Sequence, residues 1–254
     1  ILMDAHTGEV VALASAPTFD PNNRPAPPAN RYEQAESPLF NRAVQGLYEL
    51  GSVMKAFAVA QALDLGLVSP ETMVDTRGPL RMGRFAIQDF HDYGAQMSVE
   101  QVFVRSSNIG TARLAQMIGP ERQRDFLASL GFLEPLSLQL PEAARARPQQ
   151  PERWGELSSM TISYGHGLSL TPMHLAAGYA ALVNGGTLVE PTLTRRTDTT
   201  PGPRVISEET SRIMRSLFRS VVTDGTASPG EVAGYRVGGK TGTAEKPNPD
   251  GGYY

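Results

Sequence analysis

The chain has 254 residues, 40% of them apolar, which is enough to bury the core of one to two domains. A net charge of −3 with no basic run argues against a nucleic-acid binder, and four histidines without metal-ligand spacing, in a chain with no cysteine, leave no candidate metal site. The best apolar stretch, Ala56 to Leu67, is interrupted by Gln61, Asp64 and Gly66 and falls short of the ~18 residues a membrane helix needs.

Residues 1–15 alternate as a hairpin around Asp4 to Gly8, and a loop over 17–30 follows, punctuated by Pro17, Pro21, Pro25, Pro27 and Pro28. From Ser52 to about Leu65 the apolar spacing predicts a helix with Val53, Phe57 and Ala60 on one face and Gly66 as its stop. Ser98, with Gln101 three residues on, is a capping-box pattern that opens a short helix over 98–104. Ser106 to Asn108 then form a turn, and helices are expected over Ile109 to Ile118 and Pro120 to Leu130. Thr171-Pro172 starts another, stopped by Asn184-Gly185-Gly186, and Ser207 with Glu208 and Glu209 starts one that runs through Phe218. Val232 to Lys246 reads as a strand. Strands, many helices and strands again describe an α+β fold, with a helical subdomain against one sheet and a site at their junction.

Only three lysines occur in the chain, and two of them stand inside short motifs. Lys55 closes Ser52-Val53-Met54-Lys55 and Lys240 opens Lys240-Thr241-Gly242-Thr243, with Ser106-Ser107-Asn108 between them. An S-x-x-K or S-x-N match arises by chance about once in a chain of this length, whereas all three motifs in this order do not.

The residue types fit nucleophilic catalysis. A serine hydroxyl needs a base within hydrogen-bond reach, and a lysine three residues later on one helix puts an amine beside Ser52. That lysine acts as a base only when neutral, and burial with a second cation nearby, here Lys240, lowers its pKa. Ser106 then relays protons to the leaving group, and Asn108 orients Lys55 and the substrate backbone. Gly242 leaves room for substrate backbone, while Lys240, Thr241 and Thr243 hold a terminal carboxylate. The N–H groups of Ser52, at a helix start, and of Thr243 are the expected oxyanion hole. His166, between glycines, lines the cleft wall without an assigned role, and Trp154 serves either packing or the wall of a substrate groove.

At these residues the chain resembles the transpeptidase domain of class B penicillin-binding proteins. The resemblance extends to Met3-Asp4-Ala5-His6-Thr7-Gly8-Glu9-Val10-Val11-Ala12, Phe19-Asp20-Pro21-Asn22, Asn41-Arg42-Ala43, Tyr164-Gly165-His166-Gly167 with Thr171-Pro172, and Ala180 to Gly186. Ser106-Ser107-Asn108 and the run from Lys240 to Lys246 are similar to the division-specific, FtsI-type enzymes. Leu50 and Ala56 depart from the family, which often has proline at both positions. The resemblance implies a penicillin-binding-protein/serine β-lactamase-like fold, an antiparallel sheet flanked by helices with an all-helical subdomain, and no cofactor. It further implies a septal D,D-transpeptidase acting on stem peptides that end in D-Ala-D-Ala, acylated by β-lactams and partnered by other cell-division proteins.

On the same resemblance the domain occupies all of 1–254 and is truncated at both ends. Further C-terminal strands and a closing helix are expected to be missing, a membrane anchor is expected upstream, and the domain itself is expected on the periplasmic side of the bacterial inner membrane. The alternatives are a D-Ala-D-Ala carboxypeptidase and a non-catalytic β-lactam sensor or divisome scaffold. A β-lactamase would need a water-activating base, for which Glu142 is the nearest acidic candidate after the middle motif.

Overall fold

The structure is a computed structural model and describes residues 1–197 and 200–243. Strands β1 (Leu2–Met3) and β2 (Val10–Ala12) pair antiparallel, as the alternation predicts. Their turn is closed by Asp4, whose Oδ1 accepts from the N–H groups of His6 and Thr7 at 2.8 Å each. The proline-rich stretch holds only a short 3-10 turn, Pro21–Asn23, before helix α1 (Arg31–Glu36), which the sequence reading passed over. Its signal is Asn30 with Glu33: Glu33 N–H donates to Asn30 Oδ1, and Glu33 Oε2 accepts from the Ala29 N–H.

Strand β3 (Tyr48–Glu49) leads into a 3-10 turn, Gly51–Met54, and only then into helix α2 (Lys55–Asp64). The predicted helix is therefore two elements, and Ser52 lies in the tighter one. Every residue of α2 from Lys55 to Leu63 is buried. A helix covered on all sides belongs at the centre of a core. Next in the chain come strands β4 (Met73–Asp75), β5 (Leu80–Met82), β6 (Phe85–Ile87) and β7 (Gln96–Ser98), followed by helices α3 (Val99–Val104), α4 (Asn108–Ile118), α5 (Pro120–Ser129) and α6 (Glu156–Ser163). Of these, α3 to α6 all touch α2 directly. The capping box of Ser98 and Gln101 is formed as read from the sequence.

Strand β8 (Ser169–Leu170) pairs with β3, and helix α7 (Pro172–Val183) starts at a second capping box, Thr171 with His174. Helix α8 (Glu208–Thr223) begins at Ser207 as predicted and runs five residues past Phe218, because Val221 and Val222 continue its buried face. Phe57 of α2, Phe132 and Tyr179 of α7 meet edge to face, with ring centroids 4.9 and 5.6 Å apart.

One sheet was expected. The described strands instead form four separate two-stranded antiparallel pairs: β1 with β2, β3 with β8, β4 with β7, and β5 with β6. The stretch from Val232, expected as a strand, has no ladder over its described part, and residues 244–246 lie outside the described residues. A strand needs a partner along its length, and this stretch has none among the described strands; Gly239 N–H donates to the Phe218 carbonyl at the end of α8 instead. No described helix is long and apolar enough to cross a membrane.

Candidate active site

Three chain segments meet at the site: the turn 51–54 before α2, the turn 105–107 between α3 and α4, and the segment 240–243. The first is held backbone to backbone. Gly51, at φ 61°, donates its N–H to the Gly165 carbonyl at 3.2 Å, and a Cβ on Gly165 would overlap the Gly51 backbone. Tyr179, partly buried against the core, reaches the same turn and donates its Oη–H to the Val53 carbonyl at 2.9 Å. Beside it, the Glu49 carboxylate accepts the Gly167 N–H at 2.7 Å and faces His166 Nδ1 at 3.2 Å. The His166 hydrogen bond, and then the Gly167 N–H, hold the Glu49 carboxyl below its usual range against the opposing effect of burial. His166 thus supports the turn that carries Ser52.

Ser52 is half-buried, and its Oγ makes no hydrogen bond among the described residues. The expected Ser52 to Lys55 contact is absent because the Lys55 amine is turned inward. Lys55, with no solvent exposure, donates from Nζ to the Ser106 carbonyl at 2.6 Å and to Ser106 Oγ at 3.0 Å. A buried ammonium has three donors to satisfy, and a carbonyl is the stronger acceptor.

Ser106 is bound from both sides. Lys240 Nζ donates to the same Oγ at 2.8 Å, so one hydroxyl bridges two lysines 185 residues apart in sequence. Ser106 is also the single described non-glycine residue with positive φ, at 64°. That left-handed conformation costs roughly 1–2 kcal/mol for a residue with a Cβ. In it, both the carbonyl and the hydroxyl of Ser106 meet Lys55. The turn is closed upstream by Ser106 N–H to the Phe103 carbonyl and Ser107 N–H to the Val102 carbonyl, at 3.2 and 2.9 Å.

Burial, then the charge of Lys240, push Lys55 down to about 7, with Asp89 opposing them; burial alone brings Lys240 to about 8. The second-cation effect expected of Lys240 is present, but it ranks after desolvation.

Lys240 also donates to the Thr241 carbonyl at 3.2 Å and sits 5.9 Å from the Phe103 ring centre. Thr241 Oγ1 pairs with Thr226 Oγ1 at 2.6 Å, and Thr241 to Thr243 are exposed. At Gly242 an added Cβ would lie 2.9 Å from Val53 Cγ1 and 3.2 Å from the Leu50 carbonyl oxygen. A glycine here lets the last motif lie against the turn of Ser52, a nearer reason than room for substrate. Asn108 turns its Nδ2 to the Gln88 carbonyl at 3.0 Å, not to Lys55.

Several residues escaped the sequence reading. Asp89 accepts from Ser107 Oγ at 2.7 Å and from the N–H groups of Asn108 and Ile109, fixing the start of α4. Glu49 and Thr226 likewise support the motifs from nearby in the sequence, and Tyr179 from 126 residues away. Trp154 is resolved as packing: it lies against the core and donates Nε1–H to Gln123 Oε1 at 3.1 Å. His174 is a buried capping residue, and burial lowers its pKa. Glu142 accepts from Asn41 Nδ2 at 3.4 Å and bonds to none of the motif residues. Leu50 has φ −82°, close to what a proline would impose.

The whole chain, residues 1–254, matches the family described as the penicillin binding protein transpeptidase domain. The chain belongs to this family. It is 36% identical over 254 residues to the probable peptidoglycan D,D-transpeptidase FtsI of Caulobacter vibrioides, covering 98% of this chain and 42% of that protein. With the peptidoglycan D,D-transpeptidase FtsI of Escherichia coli it shares 31% identity, covering 100% of this chain and 42% of the relative. The chain therefore spans about two fifths of the length of these relatives. Among solved structures, the apo transpeptidase domain of Burkholderia pseudomallei penicillin-binding protein 3 superposes with a TM-score of 0.84 at 34% identity, over 99% of this chain and 70% of that one. The fold is the penicillin-binding transpeptidase fold, of helices and antiparallel strand pairs.

Proposed function

We propose that this domain is the acylating centre of a septal peptidoglycan D,D-transpeptidase, with Ser52 as nucleophile. The observation that carries the reading is Ser106 Oγ bridging Lys55 and Lys240 beside the turn of Ser52. A neutral Lys55 amine has two N–H donors, which the Ser106 carbonyl and hydroxyl satisfy, and one lone pair left for the Ser52 proton. Catalytic hydrogen bonds of this kind tighten when substrate is in place.

Ser52 Oγ attacks the carbonyl of the penultimate D-Ala while Lys55 takes its proton. The N–H groups of Ser52 and Thr243 stabilise the oxyanion. Collapse breaks the C–N bond to the terminal D-Ala, whose amine receives the proton from Lys55 through the Ser106 hydroxyl. An amine of a neighbouring stem then attacks the ester and gives a proton to Lys55; the C–O bond to Ser52 breaks, Lys55 returns that proton to Ser52 Oγ, and the cross-linked amide leaves. Lys240, charged below its pKa of about 8, holds the terminal carboxylate with Thr243. β-Lactams follow the first half of this path. The septal assignment, other cell-division proteins as partners and a periplasmic location rest on the likeness to the FtsI proteins named above.

Incubation with penicillin tests the reading: one adduct maps to Ser52, and Ser52→Ala removes it. A transfer assay with a stem-peptide donor and an amino-acid acceptor then separates a transpeptidase from a carboxypeptidase, which releases D-Ala to water alone, and from a sensor, which releases none. An unlabelled wild type, or label surviving Ser52→Ala, overturns the assignment.

A further inference from the structure

The loop over residues 88–93 holds the middle motif in an unusual pattern. Tyr93 Oη donates to the Arg105 carbonyl at 3.0 Å, Asp89 takes Ser107 Oγ and the N–H groups of Asn108 and Ile109, and the Gln88 carbonyl takes Asn108 Nδ2. Each of residues 105 and 107–109 is bonded to this loop. Ser106 is not, and it is the residue bonded to both lysines.

We propose that Asp89 is a positioning residue for acylation, fixing Ser107 to Ile109 so that Ser106 keeps the left-handed conformation that presents its hydroxyl and carbonyl to Lys55. This rests on the acyl-enzyme reading above. The αL state at Ser106 is strained, and a strained residue persists only when both flanks are held. The end of α3 takes the Ser106 and Ser107 N–H groups on the Phe103 and Val102 carbonyls; Asp89 adds the hold on Ser107 Oγ and on the N–H groups of Asn108 and Ile109. Helix capping alone does not account for the geometry, since Ser107 Oγ already caps α4 by accepting the Gly110 N–H at 2.9 Å. The same carboxylate acts on Lys55, favouring its protonated form against burial and Lys240. The charged and titratable groups around the pair are Lys240 across Ser106, with Tyr93 and Arg105 beside Asp89.

The experiment measures penicillin acylation rates against pH, per folded molecule, in the full-length protein with Asp89→Ala, Asp89→Asn and, as control, Asp92→Asn. Asp92 lies in the same loop but bonds only to the Gly94 N–H among the described residues. Asp89→Ala is expected to slow acylation about tenfold to a hundredfold, the cost of a misplaced catalytic group. Asparagine can still accept the two backbone N–H groups and donate to Ser107 Oγ, so Asp89→Asn regains most of the melting temperature. Its rate profile nevertheless moves to lower pH on the acid side, because the charge that favours protonated Lys55 is gone. Asp92→Asn leaves the profile in place. If Asp89→Ala fails to fold, the Asp89→Asn profile decides. Variants that acylate at the wild-type rate with the wild-type pH profile reduce Asp89 to a helix cap and overturn the proposal. An unlabelled wild type overturns the acyl-enzyme reading, and this inference with it.

Discussion

Lys55 and Lys240 donate to one oxygen from opposite kinds of surroundings. Lys55 belongs to a helix buried from its first residue to Leu63 and has no solvent exposure, whereas Lys240 lies on a segment with no strand partner among the described residues, and the next three residues are exposed. Burial lowers both, but Lys55 further and with Lys240 adding to the effect. The same side chain is thereby divided into two roles: a fully buried amine that loses its proton near neutrality and a partly buried ammonium that keeps it a little longer. What separates them is the number of sides from which water is excluded.

The comparison breaks most sharply under arginine. Lys55→Arg keeps the charge but cannot be deprotonated, so acylation is expected to fall by roughly 10²–10⁴, the worth of a general base. Lys240→Arg, which keeps a charge where a charge is wanted, is expected to lose far less. Equal losses in a stopped-flow penicillin assay would erase the distinction between the two lysines.

A smaller effect tests the carboxylate. Lys240→Ala should slow acylation roughly tenfold to a hundredfold, the worth of one charge-assisted hydrogen bond of about 1.5–3 kcal/mol. On a donor whose terminal carboxylate is converted to an amide, the wild type should lose most of that advantage. A defect of equal size on both donors would mean that Lys240 acts through Lys55 alone.

The smallest effect is on stability. Between about 7 and its ordinary 10.5, Lys55 is protonated in the unfolded chain but not in the folded one, so its contribution to stability rises with pH there. The slope is at most about 1.4 kcal/mol per pH unit. The stability of the wild type relative to Lys55→Met should accordingly grow between pH ~7 and ~9 in urea titrations; parallel curves would show that Lys55 keeps its proton in the fold.

Much of this was legible in the sequence. The three motifs, the capping box of Ser98 and Gln101 and the starts of α7 and α8 follow from local patterns of a few residues. What stayed hidden depends on residues far apart in sequence. Asp89 is one carboxylate in a loop with no motif, and its partners stand 18 to 20 residues on. Tyr179 reaches Val53 across 126 residues, and nothing in the pattern of α7 marks its hydroxyl. Strands β4 to β7, three residues each, are too short for alternation to stand out. The inward turn of Lys55 could not be read from i,i+3 spacing, which fixes a neighbour on a helix but not which acceptor a buried ammonium prefers.

The central claim is that Lys55 gives up its proton near neutral pH to serve Ser52. The rate of penicillin acylation at Ser52 across pH about 5 to 9 tests it most directly. The account predicts a rising limb with its midpoint near pH 7, absent in Lys55→Arg, and displaced to higher pH in Lys240→Ala, where the cation that helps expel the Lys55 proton is gone. A rate that stays flat over this range, or that still climbs at its upper end with no midpoint near neutrality, would contradict it.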